Sequence, residues 1–108
     1  MNDLTLTFSA LSDATRLAVV ERLVADGELP VGALVDSAGM SAPAMSRHLK
    51  VLRNAGLVQS RIDGTRRLYS VRPEALKTVA DWAMDHRAFW EGGLDRLAAH
   101  LAQEDDQP

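Results

Sequence analysis

The sequence predicts a mainly α fold with one small β-hairpin, an α+β chain with four short helices before the hairpin and a long helical stretch after it. Three observations predict this. Apolar residues recur at the helical period in successive short runs between Asp3 and Leu52. From Leu57 to Val71 they alternate at the period of a strand about an Asp63-Gly64 turn. From Pro73 onward the spacing becomes 4-3, that of a helix lying along another helix.

The bulk properties narrow the class. With 108 residues, 46% hydrophobic and 25% charged, the chain reads as one globular domain, residues 1–108, small enough that dimerisation is a natural way to gain buried area. No apolar run approaches the roughly 18–20 residues of a membrane span. The first residues carry no basic segment of a signal peptide, so a cytoplasmic protein without a membrane partner is expected. The absence of cysteine excludes disulfides, thiolate metal sites and thiol redox sensing.

The first helix is expected over Asp3 to Leu11, where Leu4, Phe8 and Leu11 fall at i, i+4, i+7. Ser12 or Asp13 caps the second, whose inner stripe is Leu17, Val20, Leu23 and Val24, ended by Asp26-Gly27. Arg16 is exposed by period; it either touches a phosphate or pairs with a neighbouring carboxylate. Glu28 to Val31 is an extended link, since Pro30 disfavours helix before it. A third helix follows over about 32–38, with Leu34, Val35 and Ala38 inward and Gly39 as its stop.

The fourth helix begins three residues later. Ser41 is its N-cap, and Pro43 is tolerated in the first turn, where a missing N–H costs nothing. Met45, Leu49 and Leu52 make one apolar stripe, and Gly56 supplies the stop. Ala44, Ser46, Arg47, His48, Lys50 and Arg53 are left for the flanks and outer face. Taken alone, this face suits a major groove or the solvated side of an ordinary bundle helix equally well.

Charge distribution separates the two. Between Ser41 and Arg72 lie seven cations and one anion, a net +6 that leaves −9 for the rest of a chain whose total is −3. Such segregation is the footprint of a phosphate-binding surface. The alternating segment after the helix carries Arg61, Arg66 and Arg67 around its turn, and a basic hairpin directly behind a helix-turn-helix is a wing. The expected fold is therefore a winged helix-turn-helix, with the helix-turn-helix over about 32–55 and the wing over about 57–72.

The remaining helical stretch, about 73–102, aligns Leu76, Ala80, Ala83, Trp90, Leu94, Leu97 and Leu101, with Arg87 in the one missing apolar place and Trp82 and Phe89 widening the seam. Gly92-Gly93 costs about 1 kcal/mol per residue relative to Ala, so a kink or two consecutive helices is expected there. Gln103 to Pro108 reads as an acidic, frayed tail. One small domain cannot bury the whole stripe. Together with Leu4 and Phe8, it is expected to form a two-fold dimer interface.

In that dimer, Ala42 to Lys50 is expected to enter successive major grooves of double-stranded DNA. Ser41, Ala42 and Pro43 lie at the helix start. Arg47 is the candidate base reader, because its guanidinium can bond bidentately to guanine. Ser46 and His48 reach phosphates or base edges, although a structural hydrogen bond explains His48 equally well. Lys50, Arg61, Arg66 and Arg67 are expected to hold phosphates. A protein-interaction module is the alternative, but it gives no reason for the basic cluster. An enzyme is not expected: Ser46 and His48 are i, i+2 on a helix and diverge, and no glycine-rich phosphate loop accompanies them. No cofactor is expected. A small apolar effector near Trp82, Phe89 and Trp90 is an alternative to a purely structural role for those rings.

The stretches Phe8 to Leu17, Ser46 to Arg53, Ala55 to Val58 and Asp63 to Tyr69 together resemble the ArsR-type winged-helix transcriptional repressors over nearly the whole chain. That resemblance implies a homodimer on operator DNA, released in many members by an effector. Metal-sensing members carry a Cys-x-Cys pair before the third helix, where this chain has Pro30 and Gly32. A second family metal site uses Asp, His and Glu on the last helix. Here Asp81, Asp85, His86, His100 and Glu104 differ from it in order and spacing, so no metal is expected and the chain resembles a metal-independent branch.

Overall fold

The structure, a computed structural model, describes residues 4–105. Asp3, at the expected start of the first helix, and residues 106–108 of the expected tail lie outside the described residues. The elements run α1 (Leu4–Leu11), α2 (Ala14–Asp26), β1 (Leu29–Pro30), α3 (Val31–Ala38), α4 (Ala42–Asn54), β2 (Val58–Asp63), β3 (Arg66–Val71), α5 (Pro73–Asp85) and α6 (Arg87–Asp105). They form two compact units that meet in sequence between Lys77 and Thr78.

In the first unit the core is built on α4. Met45, Leu49 and Leu52, the stripe set by the helical period, are all buried against Leu34 of α3 and Leu57 and Val58 at the hairpin entrance. The exit from α4 is a Schellman motif. Gly56, at φ 78°, donates its N–H to Arg53 O, and Leu57 N–H reaches back to Leu52 O, each at 3.0 Å. The accompanying apolar contact is Leu52 with Leu57, both at 0% exposure.

Two helices differ from expectation in the face they bury. On α2 the buried residues are Val19, Val20 and Leu23, whereas Leu17 and Val24 are 41% and 58% exposed. This helix is apolar around most of its circumference, so period alone does not choose its face. Arg16 does: it shares a face with Val20 and Leu23 and turns inward, where its Nε donates to Ala10 O at 2.7 Å. The expectation of an exposed Arg16 is thereby corrected. On α3, Leu34 is buried and Val35 half-buried, but Ala38 is exposed.

The expected hairpin is part of a three-stranded antiparallel sheet in the order β1-β3-β2. The link before α3 is its third strand, with Leu29 opposite Tyr69 and Pro30 opposite Leu68. Proline is tolerated there because β1 is an edge. At the other end Asp63 pairs with Arg66, which leaves Gly64 and Thr65 as the two loop residues. Gly64, at φ 64°, occupies the first loop position, where a II′ hairpin turn requires positive φ.

Within α5, Ala75 and Leu76 pack on the core of the first unit. The helical stretch does break, but at His86 rather than at Gly92-Gly93, which lie inside a continuous α6. The His86 peptide N–H donates to Ala83 O at 3.2 Å, one residue short of α-helical register. Its imidazole Nδ1 takes over the abandoned carbonyl, donating to Trp82 O at 2.7 Å. The break is thus stabilised by a side chain, while a glycine pair weakens a helix without itself supplying a competing donor to its carbonyls. The α6 residues Trp90, Leu94, Leu97 and Leu101 fall on one stripe and are between 50% and 63% exposed.

Candidate nucleic-acid interface

Helix α4 starts where the sequence places it. Ser41 Oγ accepts from the Ala44 N–H at 3.3 Å, and Pro43 stands in the first turn. With Met45, Leu49 and Leu52 buried, the helix presents Ser46, Arg47, Lys50 and Arg53 outward, with no acidic residue anywhere along it. Among the described residues, no ion pair or side-chain hydrogen bond engages Arg47, Lys50 or Arg53. Three uncompensated cations on one exposed helix are an arrangement that phosphates or guanine edges can complete.

His48 is different. Its side chain is 24% exposed, and its Nδ1 lies 3.9 Å from Asp13 Oδ2. Arg16 Nη1 is 3.4 Å from the same nitrogen. Asp13 itself caps α2 by accepting the Arg16 N–H at 3.0 Å. That hydrogen bond, followed by the charges of Arg16 and His48, holds its carboxyl below the ordinary value. Asp13, Arg16 and His48 therefore tie the end of α1 and the start of α2 to α4, and His48 makes an internal contact of the kind its structural reading expects. Arg16 is the positioning residue that sequence reasoning missed. Its signal was the 16, 20, 23 spacing, which puts it on the buried face.

The wing cations divide in the same way. Arg66 has no ion pair or side-chain hydrogen bond among the described residues. Arg67 Nη1 donates to the Ser60 hydroxyl at 3.1 Å, which leaves its charge uncompensated. Arg61, by contrast, forms a forked ion pair with Glu28, its shortest contact 2.7 Å. Arg72 lies 3.6 Å from Glu74. The face available to DNA is therefore less basic than a count of arginines suggests.

Of the residues expected at a dimer interface, Phe8 is 41% exposed and Leu4 half-buried on α1, whose inward residues are Thr7 and Ala10. Trp82 and Phe89 are 41% and 74% exposed. Among the residues weighed for a metal, His100 pairs with Glu104 at 3.1 Å, and no three His, Asp or Glu side chains converge among the described residues. A cleft of about 420 Å³ opens between α2 and α3, lined by the small apolar residues Ala14, Ala18, Val19 and Ala38 together with the polar Thr15, Arg22 and Ser37. No periodic pattern announces it.

Helices α3 and α4 joined by a short glycine-containing turn, with a basic hairpin packed directly behind them, define a winged helix-turn-helix protein. Residues 13–60 match the family model described as bacterial regulatory protein, arsR family. The chain belongs to the ArsR family of helix-turn-helix transcriptional regulators, as its residues suggested. It is 43% identical over 99 residues to the HTH-type transcriptional regulator Rv2034 of Mycobacterium tuberculosis, covering 92% of this chain and 89% of that protein. The crystal structure of the ArsR family regulator RHA00566 superposes with a TM-score of 0.73 at 29% identity, covering 82% of this chain and 91% of that one. The homodimeric winged helix-turn-helix DNA-binding domain Mb0332 of Mycobacterium bovis, solved in solution, gives a TM-score of 0.65 at 28% identity, with coverages of 80% and 82%. Among the described residues no helix is long and apolar enough to cross a membrane.

Proposed function

We propose that this protein is a cytoplasmic, homodimeric repressor that binds an inverted-repeat operator, with residues 1–108 acting as one DNA-binding protomer. The observation that carries this reading is the acid-free outer face of α4, where Arg47, Lys50 and Arg53 have no partner among the described residues. Arg47 reads a guanine and Ser46 an adjacent base edge or phosphate. Lys50, Arg66 and Arg67 hold phosphates, and the small residues Ala42 and Pro43 behind Ser41 let the start of the helix come close to the backbone. No catalytic step is assigned.

The dimer reading rests on the exposed α6 stripe and on the homodimeric state of Mb0332, and it also assigns Leu4 and Phe8 of α1 to a dimer contact. Two recognition helices related by a two-fold axis meet half-sites about 34–36 Å apart. An apolar effector would find exposed rings at Trp82, Phe89 and Trp90, and tryptophan fluorescence against operator-releasing compounds reports it.

The test is selection of bound fragments from the organism's own genome, followed by titration with the intact chain and with Leu97→Glu. The wild type is expected to sediment as a dimer and to retain palindromic fragments. Leu97→Glu is expected to be monomeric and to lose at least tenfold in affinity. A dimer unaffected by Leu97→Glu would remove α6 from the interface, and recovery of no fragment would end the DNA-binding reading.

A further inference from the structure

Arg61 belongs to the cationic set that the sequence directs at DNA phosphate, yet its guanidinium already holds a carboxylate. Nε donates to both oxygens of Glu28, at 3.0 and 2.9 Å, and Nη2 donates to Oε1 at 2.7 Å. The contact is built by the sheet. Glu28 directly precedes β1, whose Pro30 pairs with Leu68 on the central strand, and Leu68 in turn pairs with Arg61 on β2. Directly opposed residues share a face, and Glu28, two residues before Pro30, falls on that same face, so the acid and the base approach each other over the central strand from its two sides. Leu68 is only 6% exposed although it lies outside the main core cluster. The apolar stem of Arg61 and the ring of Pro30 flank it in the register. Glu28 therefore sits next to a backbone-paired strand with its side chain 30% exposed, while the Arg61 side chain remains 59% exposed and within reach of a ligand.

A carboxylate and a phosphate offer a guanidinium the same forked acceptor geometry, so Arg61 can satisfy one or the other. We propose that Glu28 is a specificity-determining residue: it withholds Arg61 from DNA backbone in general and releases it only to a phosphate set at the right place by a correctly docked α4. A loosely placed phosphate is a poorer partner than the fixed carboxylate, and Arg61 stays where it is. On the operator, the phosphate position is fixed by the base contacts of the same protomer, and the exchange occurs. Arg66 and Arg67 have no such competitor and hold any duplex. The wing thus contains two unconditional phosphate ligands and one conditional ligand. This rests on the DNA-binding reading above.

The test is a two-by-two cycle of Glu28→Gln and Arg61→Gln in this chain, titrated by fluorescence anisotropy against a genome-selected fragment and an unrelated duplex over a salt series. With Glu28 present, Arg61→Gln is expected to weaken the selected fragment about three- to tenfold and to leave the unrelated duplex unchanged. Glu28→Gln is expected to tighten the unrelated duplex and steepen its salt dependence by about one unit of log–log slope per protomer, as expected when Arg61 neutralises one more phosphate. That tightening should vanish in the double variant. An equal loss on both DNAs from Arg61→Gln overturns the proposal. So does a tightening from Glu28→Gln that persists without Arg61, since removal of negative charge alone would then explain it. Failure of the wild type to bind any selected fragment defeats the DNA-binding reading itself. Should Arg61→Gln melt early, Arg61→Lys keeps the stem over Leu68 and the charge but loses the fork, and the same operator-only loss is expected of it.

Discussion

Replacing Arg66 and Arg67 together by alanine separates phosphate binding from base reading. The first has no ion pair or side-chain hydrogen bond among the described residues, and the second gives one N–H to a neutral hydroxyl, so neither is needed to balance a buried or paired charge. Fold stability should stay within about 0.5 kcal/mol, as for surface changes away from such features. A dimer loses four phosphate ligands. At about 0.9 per phosphate, the slope of log K against log salt becomes shallower by roughly 3.6. The wild-type advantage should then shrink by about a hundredfold between 50 and 200 mM salt, and equally for selected and unrelated DNA. Arg47→Ala is the contrast. It removes a base contact worth about 1–3 kcal/mol of discrimination and should narrow the gap between the selected fragment and its single-base variants. Anisotropy titrations at four salt concentrations measure both quantities. A double variant with an unchanged salt slope would mean the wing does not touch the backbone, and the assignment of Arg66 and Arg67 would be wrong.

The paired carboxylates and the glycine pair of α6 can be tested by melting. Hydrogen bonds from Arg61 and from the Arg16 N–H hold Glu28 and Asp13 below their ordinary values of 4.5 and 3.8, respectively. Their stabilisation is complete above those values and is lost as pH falls through the lower folded ones. Thermal melts should therefore be insensitive to both groups from pH 7 to 5 and fall below that. Asp13→Asn, which keeps a capping oxygen, should flatten its share; an unaltered acid profile in both Asp13→Asn and Glu28→Gln would refute the assignment. In α6, a Cβ on Gly92 or Gly93 would meet only the flexible Arg96 guanidinium, at 3.4 and 3.8 Å. Alanine at each should raise stability by about 1 kcal/mol in a melt, and a loss would show that another backbone approaches closely there.

Helix α4 was legible from end to end because each of its determinants is local. Ser41 caps it, Pro43 starts it, Met45, Leu49 and Leu52 choose its buried face, and Gly56 stops it. The existence of the hairpin was legible for the same reason, although its loop is Gly64-Thr65 and not the expected Asp63-Gly64, because Asp63 still pairs with Arg66. What was not legible depends on partners distant in sequence or on chemistry without a period. A two-residue strand containing proline gives no alternation, so β1 appeared only as a link until Tyr69 and Leu68 supplied its pairs. The phase of α2 was hidden by apolar residues on nearly every side, and an arginine on the core face had to resolve it. The break at His86 follows from an imidazole accepting the duty of a peptide N–H, which no propensity scale records, whereas a glycine pair invites a break that the helix does not make. The Glu28–Arg61 pair spans 33 residues and two strands, and it removes from the free basic surface a charge the sequence had counted as available.

These long-range contacts matter because α4 has little with which to read DNA. Its first turn is Ala42, Pro43 and Ala44, His48 is turned toward Asp13 and Arg16, and Arg47 is left as the principal side chain able to fork onto a base. One such contact per protomer discriminates by only about 1–3 kcal/mol. The rest must come from how accurately the helix is set against the backbone, so that a duplex of the wrong shape cannot satisfy base and phosphate contacts together. Accurate setting is what the surrounding structure supplies. The Schellman exit fixes α4 to the sheet, its apolar stripe seats it on Leu34 and Leu57, and Arg16 ties its middle to the ends of α1 and α2. An arginine in the wing that answers only to a well-placed phosphate extends the same logic: in a recognition helix with so few letters, geometry carries the specificity that side chains do not.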